Sequence, residues 1–501
     1  MTDSATVRLS HGAVRGLRLD GHLSFRGIPY AAPPVGDRRW CPPAAVESWS
    51  GVLDATEPGS PAPQSAQSFA DVTSLDEDCL TLEVTVPEAP ATGRPVLVWL
   101  HGGGGTNGST TDFDAGRLAV TGDLIVVKPT FRLGVLACFG HPGIPDGGSF
   151  GVQDQQAALR WVRDEIARFG GDPGNVTLVG ESYGALTVSA HLVSPGSAGL
   201  FHRAILQSGF AIMGPTPANT FIPGVPELPA NWIPAAELDE LGAVTAVDHG
   251  WASAGDDPES TMERLRQVPV VDLLAVSGAF IRPAFGGTVL PESPGVALAA
   301  GRVHRVPVLL GTARDEARFF VSLFADLAGS PVTAESYPRL LAEAFGADAE
   351  RVAARYPLDR FSTPSLAWAQ IATDRAWARP TWELGRALAA VTGTWFYEFA
   401  DPDAPPTVPI PGFPTGAVHA AELPYQFDLP GGSPLSTEQR DLAETMNRYW
   451  AAFARDGDPA GEDLPVWPGF GAGHVQSLAP QAIGGVDYAG DHRLDFWAEL
   501  G

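Results

Sequence analysis

The corner at residues 176–184 constrains this chain more than any other feature. An apolar run, Val176-Thr177-Leu178-Val179, leads directly into Gly180-Glu181-Ser182-Tyr183-Gly184, and an apolar stretch that reads as helix follows. A strand that turns this sharply into a helix has no room for side chains two positions either side of its apex, so both places want glycine. The serine between them is held on strained backbone, its hydroxyl clear of its neighbours. Such a corner needs a buried strand feeding a helix.

The rest of the chain repeats that pattern. Strand-like runs at residues 82–86, 95–100, 124–127, 176–179, 204–206, 306–310 and 394–398 alternate with helix-like segments. Over residues 154–169, Ala157, Ala158, Trp161, Val162 and Ile166 share one helical face, with Arg160, Arg163, Asp164 and Arg168 elsewhere. Helices between buried strands predict an α/β fold with a mainly parallel sheet covered on both faces. Chemistry in such sheets gathers at the carboxyl ends of the strands. A prior of about 150 residues per domain would suggest about three domains. No repeat and no long polar linker supports that division, so a single domain over residues 1–501 is expected, with 213–234 and the Pro-rich 401–414 as surface loops or insertions.

Composition excludes several functions. The formal net charge of −26 argues against nucleic acid and anionic membranes as partners. Its plain reading is solubility, with salt tolerance the weaker alternative. Lys128 is the only lysine, which with abundant Ala, Gly and Pro reads as high-GC coding. Cys41, Cys79 and Cys138 form no C-x-x-C, so no zinc or redox site is expected, and their low, odd number suits a reducing compartment. The first seven residues lack the basic and apolar regions of a secretory signal, and no run of about 18 apolar residues suggests a membrane span. These features together predict a cytoplasmic protein, monomer or homodimer, without metal or cofactor.

A serine hydroxyl needs a base to take its proton, an acid to orient that base, and N–H donors for an oxyanion. His101-Gly102-Gly103-Gly104-Gly105 directly follows the 95–100 strand and offers the donors. Gly103 and Gly104 would donate with the backbone N–H of Tyr183. A phosphate cradle is the rival reading, but no Lys-Ser/Thr follows. Among eleven histidines, His419 stands out in Gly416-Ala417-Val418-His419-Ala420-Ala421-Glu422, late in the chain and beyond the 394–398 strand. His101 suits the oxyanion loop better, and His304, His474 and His492 have no comparable setting. Asp315 and Glu316 follow the 306–310 strand and supply the candidate acid. The chain order is then serine, acid, histidine, that of the α/β-hydrolase fold.

At this point the chain resembles the type-B carboxylesterases, the family of cholinesterases, animal carboxylesterases and bacterial para-nitrobenzyl esterases. The motifs run nearly end to end: Phe25-Arg26-Gly27-Ile28-Pro29-Tyr30-Ala31, Glu77-Asp78-Cys79-Leu80, Phe131-Arg132-Leu133-Gly134, the stretch from Phe169 through Gly184, Asp315-Glu316, the His419 segment, Arg448-Tyr449-Trp450, Gly457-Asp458-Pro459 and Trp467-Pro468. The resemblance implies Ser182 as nucleophile, Glu316 as acid, His419 as base, and Gly103, Gly104 and Tyr183 as the oxyanion hole. It implies Glu181 and Ser208 as buried polar support behind the histidine. Small esters are the implied substrates; amides, carbamates or specialised esters are the alternative, and a non-catalytic binding relative a remoter one.

Five departures stand out. Tyr183 replaces the small residue usual after the serine, and Ala62 stands where Cys79 normally finds a disulfide partner, implying a free thiol. Glu83, Phe131 and Gly286 replace residues the family prefers. Aromatic candidates for the pocket are Phe210, Phe221, Trp232, Phe280, Phe319, Phe320 and Phe324.

Overall fold

The structure is a computed structural model that describes residues 4–406, 408, 410 and 412–500. Residues 1–3 of the N-terminal reading and parts of the 401–414 segment lie outside the described residues.

Strand β6 shows why the sheet forms where the apolar runs are. In chain order the strands are β1 (Ser4–Arg8), β2 (Ala13–Arg18), β3 (His22–Pro29), β4 (Val52–Asp54), β5 (Thr81–Pro87), β6 (Arg94–Leu100), β7 (Ile125–Pro129), β8 (Gly171–Glu181) and β9 (Arg203–Gln207). They continue as β10 (Ile233–Pro234), β11 (Ala284–Phe285), β12 (Val308–Ala313), β13 (Thr394–Phe399), β14 (Val475–Leu478) and β15 (Gly484–Val486). Every residue of β6 is buried. Val96, Val98 and Leu100 enter one apolar core while Leu97 and Trp99 enter a second, because successive side chains point to opposite faces. A strand covered on both faces needs apolar residues throughout, so it reads as a continuous run rather than an alternation.

Thirteen strands form one sheet in the order β1-β2-β3-β5-β7-β6-β8-β9-β12-β13-β14-β15, with β4 on β2. The central stretch from β7 to β14 is parallel. The two flanks are antiparallel: β1-β2-β3-β5-β7 on one side, β15 on the other. This is the mostly parallel sheet expected, but the strands before β5 and the last two were not foreseen. β1 is nowhere fully buried, and β14 and β15 are only 4 and 3 residues long, so none carries a long apolar run.

The helix expected over 154–169 runs over Phe150–Glu165 and tightens into a 3-10 turn at Ile166–Phe169. Asp154 lies inside it, fully buried, with its two oxygens 2.8 and 2.7 Å from Arg132 Nε and Nη2. Lys128 is likewise structural: its ammonium is buried 2.9 Å from Glu83 and donates to the Thr110 carbonyl. The three cysteines are free, and Cys79 and Ala62 lie fully buried in the same core. Among the described residues no helix is long and apolar enough to cross a membrane.

Candidate active site

Ser182 sits between β8 and the helix Tyr183–Val193 with φ 54° and ψ −120°, outside the regions an L-residue prefers. The glycines at the corner face each other. A Cβ on Gly180 would lie 2.3 Å from the Gly184 carbonyl carbon, and one on Gly184 would lie 2.0 Å from the Leu100 oxygen. Neither position admits any other residue without moving backbone.

Three strand ends then bring distant side chains together. Ser182 Oγ lies 2.8 Å from His419 Nε2, and His419 Nδ1 lies 2.6 Å from Glu316 Oε2. The other Glu316 oxygen accepts from the Ala313 N–H at 2.9 Å, which fixes the carboxylate against the end of β12. All three residues are buried. With Nδ1–H donating to the carboxylate, Nε2 is left to accept from the serine, so the ring is oriented to receive that proton. Asp315, the adjacent acid, goes elsewhere: it pairs with Arg314 and Arg318 at 3.1 and 2.8 Å and accepts from the Ala417 N–H. Those two arginines therefore share one carboxylate.

Further carboxylates crowd the histidine. Glu181 Oε1 stands 3.3 Å from His419 Nε2 without hydrogen-bond geometry. Glu422, which the sequence reading quoted beside His419 but did not weigh, is fully buried, and its Oε1 accepts from Gln207 Nε2 at 3.3 Å. Trp450 in turn holds Gln207 through its indole N–H at 3.1 Å. Burial, then repulsion from Glu422 and Glu316, raises Glu181 to about 8. Burial and Glu316 raise Glu422 to about 7. Burial would depress His419, but the attraction of Glu181 and Glu316 outweighs it and raises the ring to about 9. These shifts belong to one coupled system: protonating Glu181 removes an attraction that keeps the proton on His419.

The glycine loop follows β6 as expected. Gly103, Gly104 and Gly105 have φ of 99°, 64° and 77°, conformations open mainly to glycine. At Gly103 a Cβ would stand 2.1 Å from the Asn107 oxygen. The N–H groups of Gly103 and Gly104 have no protein acceptor among the described residues. Tyr183 contributes the first N–H of its helix, one that an α-helix leaves unpaired. His101 beneath the loop stacks on Phe131 with centroids 4.5 Å apart, and burial lowers it to about 4. The Tyr183 side chain runs along the loop. Its ring carbons lie 2.7 Å from where a Gly105 Cβ would stand, and its hydroxyl donates to the Ile281 carbonyl at 2.9 Å. Tyr183 can be large here because Gly105 has no side chain.

Ser208 is brought near but not into the chain of bonds. It has φ 51° at the end of β9, its N–H donates to the Gly311 carbonyl, and its buried hydroxyl has no partner among the described residues. Of the aromatic candidates, Phe319 and Phe320 lie 6.1 and 5.1 Å from the His419 ring. Phe221 and Phe210 meet Trp377 behind them. Trp377, 5.6 Å from His419, was missed; it sits on a one-turn π-helix, Asp374–Ala378, that no periodicity signals. Trp232 and Phe280 are core, and Phe324 is exposed.

His492, which had no visible setting in sequence, corrects that reading. It is buried between Asp374 and Glu398, each 2.7 Å from one ring nitrogen. No group of His, Cys, Asp or Glu among the described residues is arranged to hold a metal.

Known proteins resemble this chain along nearly its whole length. The profile of the Carboxylesterase family matches residues 3–497. The para-nitrobenzyl esterase of Bacillus subtilis is 32% identical over 479 residues, 93% of this chain and 92% of that protein. The acylcarnitine hydrolase of Mus musculus is 32% identical over 524 residues, 96% of this chain and 87% of that protein. A solved PNB esterase structure superposes with a TM-score of 0.77 at 30% identity, covering 98% of this chain and 99% of that one. The chain belongs to the carboxylesterase family, with the α/β-hydrolase fold of its structural relatives and the character of a carboxylic ester hydrolase.

Proposed function

We propose that Ser182 is the nucleophile of an acyl-enzyme mechanism, with His419 as base and Glu316 as the acid that orients it. The observation that carries the proposal is the unbroken chain Ser182 Oγ, His419 Nε2, His419 Nδ1, Glu316 Oε2, at 2.8 and 2.6 Å. Ser182 Oγ adds to the ester carbonyl as its proton passes to Nε2. The new oxyanion is met by the N–H groups of Gly103, Gly104 and Tyr183, which have no other acceptor among the described residues. The intermediate collapses, and His419 returns the proton to the leaving alkoxide. Water then repeats the sequence on the acyl-serine, with His419 as base again, and releases the acid. Glu181 and Ser208 support the site rather than react.

The aromatic wall of Phe319, Phe320 and Trp377 around His419 favours esters with apolar or aryl groups. Arg314 and Arg318 share the single carboxylate of Asp315, which holds both guanidinium groups in place. Amides and carbamates are the second reading, since the same acyl transfer serves them. The unit is proposed to act as one domain, monomer or homodimer, in the cytoplasm, where three unpaired thiols suit a reducing milieu.

The test is a panel of nitrophenyl esters of increasing acyl length beside matched amides and carbamates, run on the wild type and on Ser182→Ala. Ester turnover that disappears in the folded variant is expected. Full turnover in Ser182→Ala, or failure on every ester, would overturn the reading.

A further inference from the structure

A cavity of about 550 Å³ lies away from Ser182, Glu316 and His419, between the segment that begins at Trp40 and the helix Phe150–Glu165. Two arginines line it, Arg160 and Arg266, both half-buried. Neither has a carboxylate within ion-pair distance among the described residues, although acidic residues outnumber Lys and Arg by 58 to 32. Arg160 makes no hydrogen bond among the described residues, and burial and then the nearby Arg163 lower its pKa against the weaker attraction of Asp164. Arg266 reaches only the Arg39 carbonyl and the Cys41 sulfur, at 3.4 and 3.9 Å. Two guanidinium groups in one recess can meet an anion through charge-assisted, bidentate hydrogen bonds.

A second observation points to the same ligand. Gln153, one helical face with Arg160 at seven residues' spacing, is only 8% exposed and also lines the cavity. Its amide has no hydrogen-bond partner among the described residues, whereas neighbouring Gln156 spends its own on Ser194 and Ser197. The one carboxylate of the wall, Asp146, is taken up by the Thr288 N–H and hydroxyl. The accessible apolar part of the wall is Pro42, Pro43, Pro145 and Val289, while Trp40 and Ile144 are almost wholly buried.

We propose that this cavity is a second binding site, for an amphipathic monocarboxylate. The planar carboxylate would take the two guanidinium forks and the Gln153 amide, and an aryl or short alkyl body would lie against Pro42, Pro43 and Val289. Inorganic phosphate satisfies the first half of that chemistry and leaves the apolar half wet. The volume is of the size that small-molecule sites have.

Cys41 lines the cavity and is half-buried, while Cys79 and Cys138 are fully buried, so alkylation by neutral iodoacetamide reports on this place alone. The rate of Cys41 alkylation, read by peptide mass, is measured with 4-phenylbutanoate, with the uncharged 4-phenylbutan-1-ol and with inorganic phosphate. It is repeated on the Arg160→Gln/Arg266→Gln variant, whose ester hydrolysis should stay at the wild-type rate. The carboxylate is expected to protect Cys41 saturably in the wild type, with about tenfold or more weaker protection in the variant, and the other two probes are expected to protect little. No protection, equal protection by the alcohol or by phosphate, or protection that survives in the variant would each overturn the proposal. None of these readouts depends on the role of Ser182.

Discussion

Replacing Tyr183 separates two jobs that the residue after the serine does at once. Its backbone N–H belongs to the oxyanion site, and its ring is the surface on which Gly105, next to Gly103 and Gly104, rests. The ring is 6% exposed and is tied down by the hydroxyl bond to Ile281. Tyr183→Phe keeps the ring and leaves the Ile281 carbonyl without its donor, which should cost about 1–3 kcal/mol of stability with kcat nearly unchanged. Tyr183→Ala removes the ring and leaves a cavity beneath the loop, which should cost about 3–5 kcal/mol. The loop then loses a fixed position for its donors. The ceiling on the catalytic loss is that of removing one donor outright, about 10²–10³ in kcat. KM should move less, because the donors act on the transition state. Urea unfolding and steady-state kinetics on nitrophenyl acetate and butyrate measure both. A Tyr183→Ala protein that loses stability but keeps kcat within about twofold, far under that ceiling, would show that the ring fills space and does not hold the loop.

Three other perturbations follow from the buried charges. Glu181→Gln removes a carboxylate that holds the proton on His419, so the acid limb of the pH–kcat/KM profile should move to lower pH, by about 1–3 units; an unmoved or raised limb would contradict the coupling. Glu316→Gln leaves the shape but not the charge beside Nδ1, and ester turnover should fall about 10⁴-fold; a loss under tenfold would assign the acid elsewhere. His492 is raised to about 10 by hydrogen bonds to Asp374 and Glu398, against the cost of its burial. Its stabilisation is complete below its ordinary value of 6.5 and is lost as pH climbs through the raised value. Wild-type stability should therefore decline from neutral pH towards pH 10 more steeply than that of His492→Gln, and matching slopes in chemical denaturation would refute this.

What could be read in sequence was whatever is enforced locally. The serine corner left its signature in two glycines because backbone meets backbone there, and β6 left a continuous apolar run because both its faces are covered. Asp315 and Glu316 could not be told apart in the string. Their difference lies in what surrounds them, two arginines for one and a histidine 103 residues away for the other. Glu422 was in plain view three residues after His419, but its partner Gln207 is 215 residues distant. Trp377 and His492 are of the same kind, placed by a π-turn and by the return of the C-terminal segment onto the sheet. The flanking antiparallel strands escaped because short or half-exposed strands do not need the apolar runs that betray the central ones.

The central claim is that Ser182 is the activated nucleophile of this chain. A nitrophenyl alkylphosphonate tests it most directly, because the phosphonylated serine does not readily turn over. The account predicts release of one nitrophenolate per chain, a matching mass increase confined to the peptide containing Ser182, and none of either in Ser182→Ala. Labelling at any other residue, or undiminished uptake by Ser182→Ala, would contradict it.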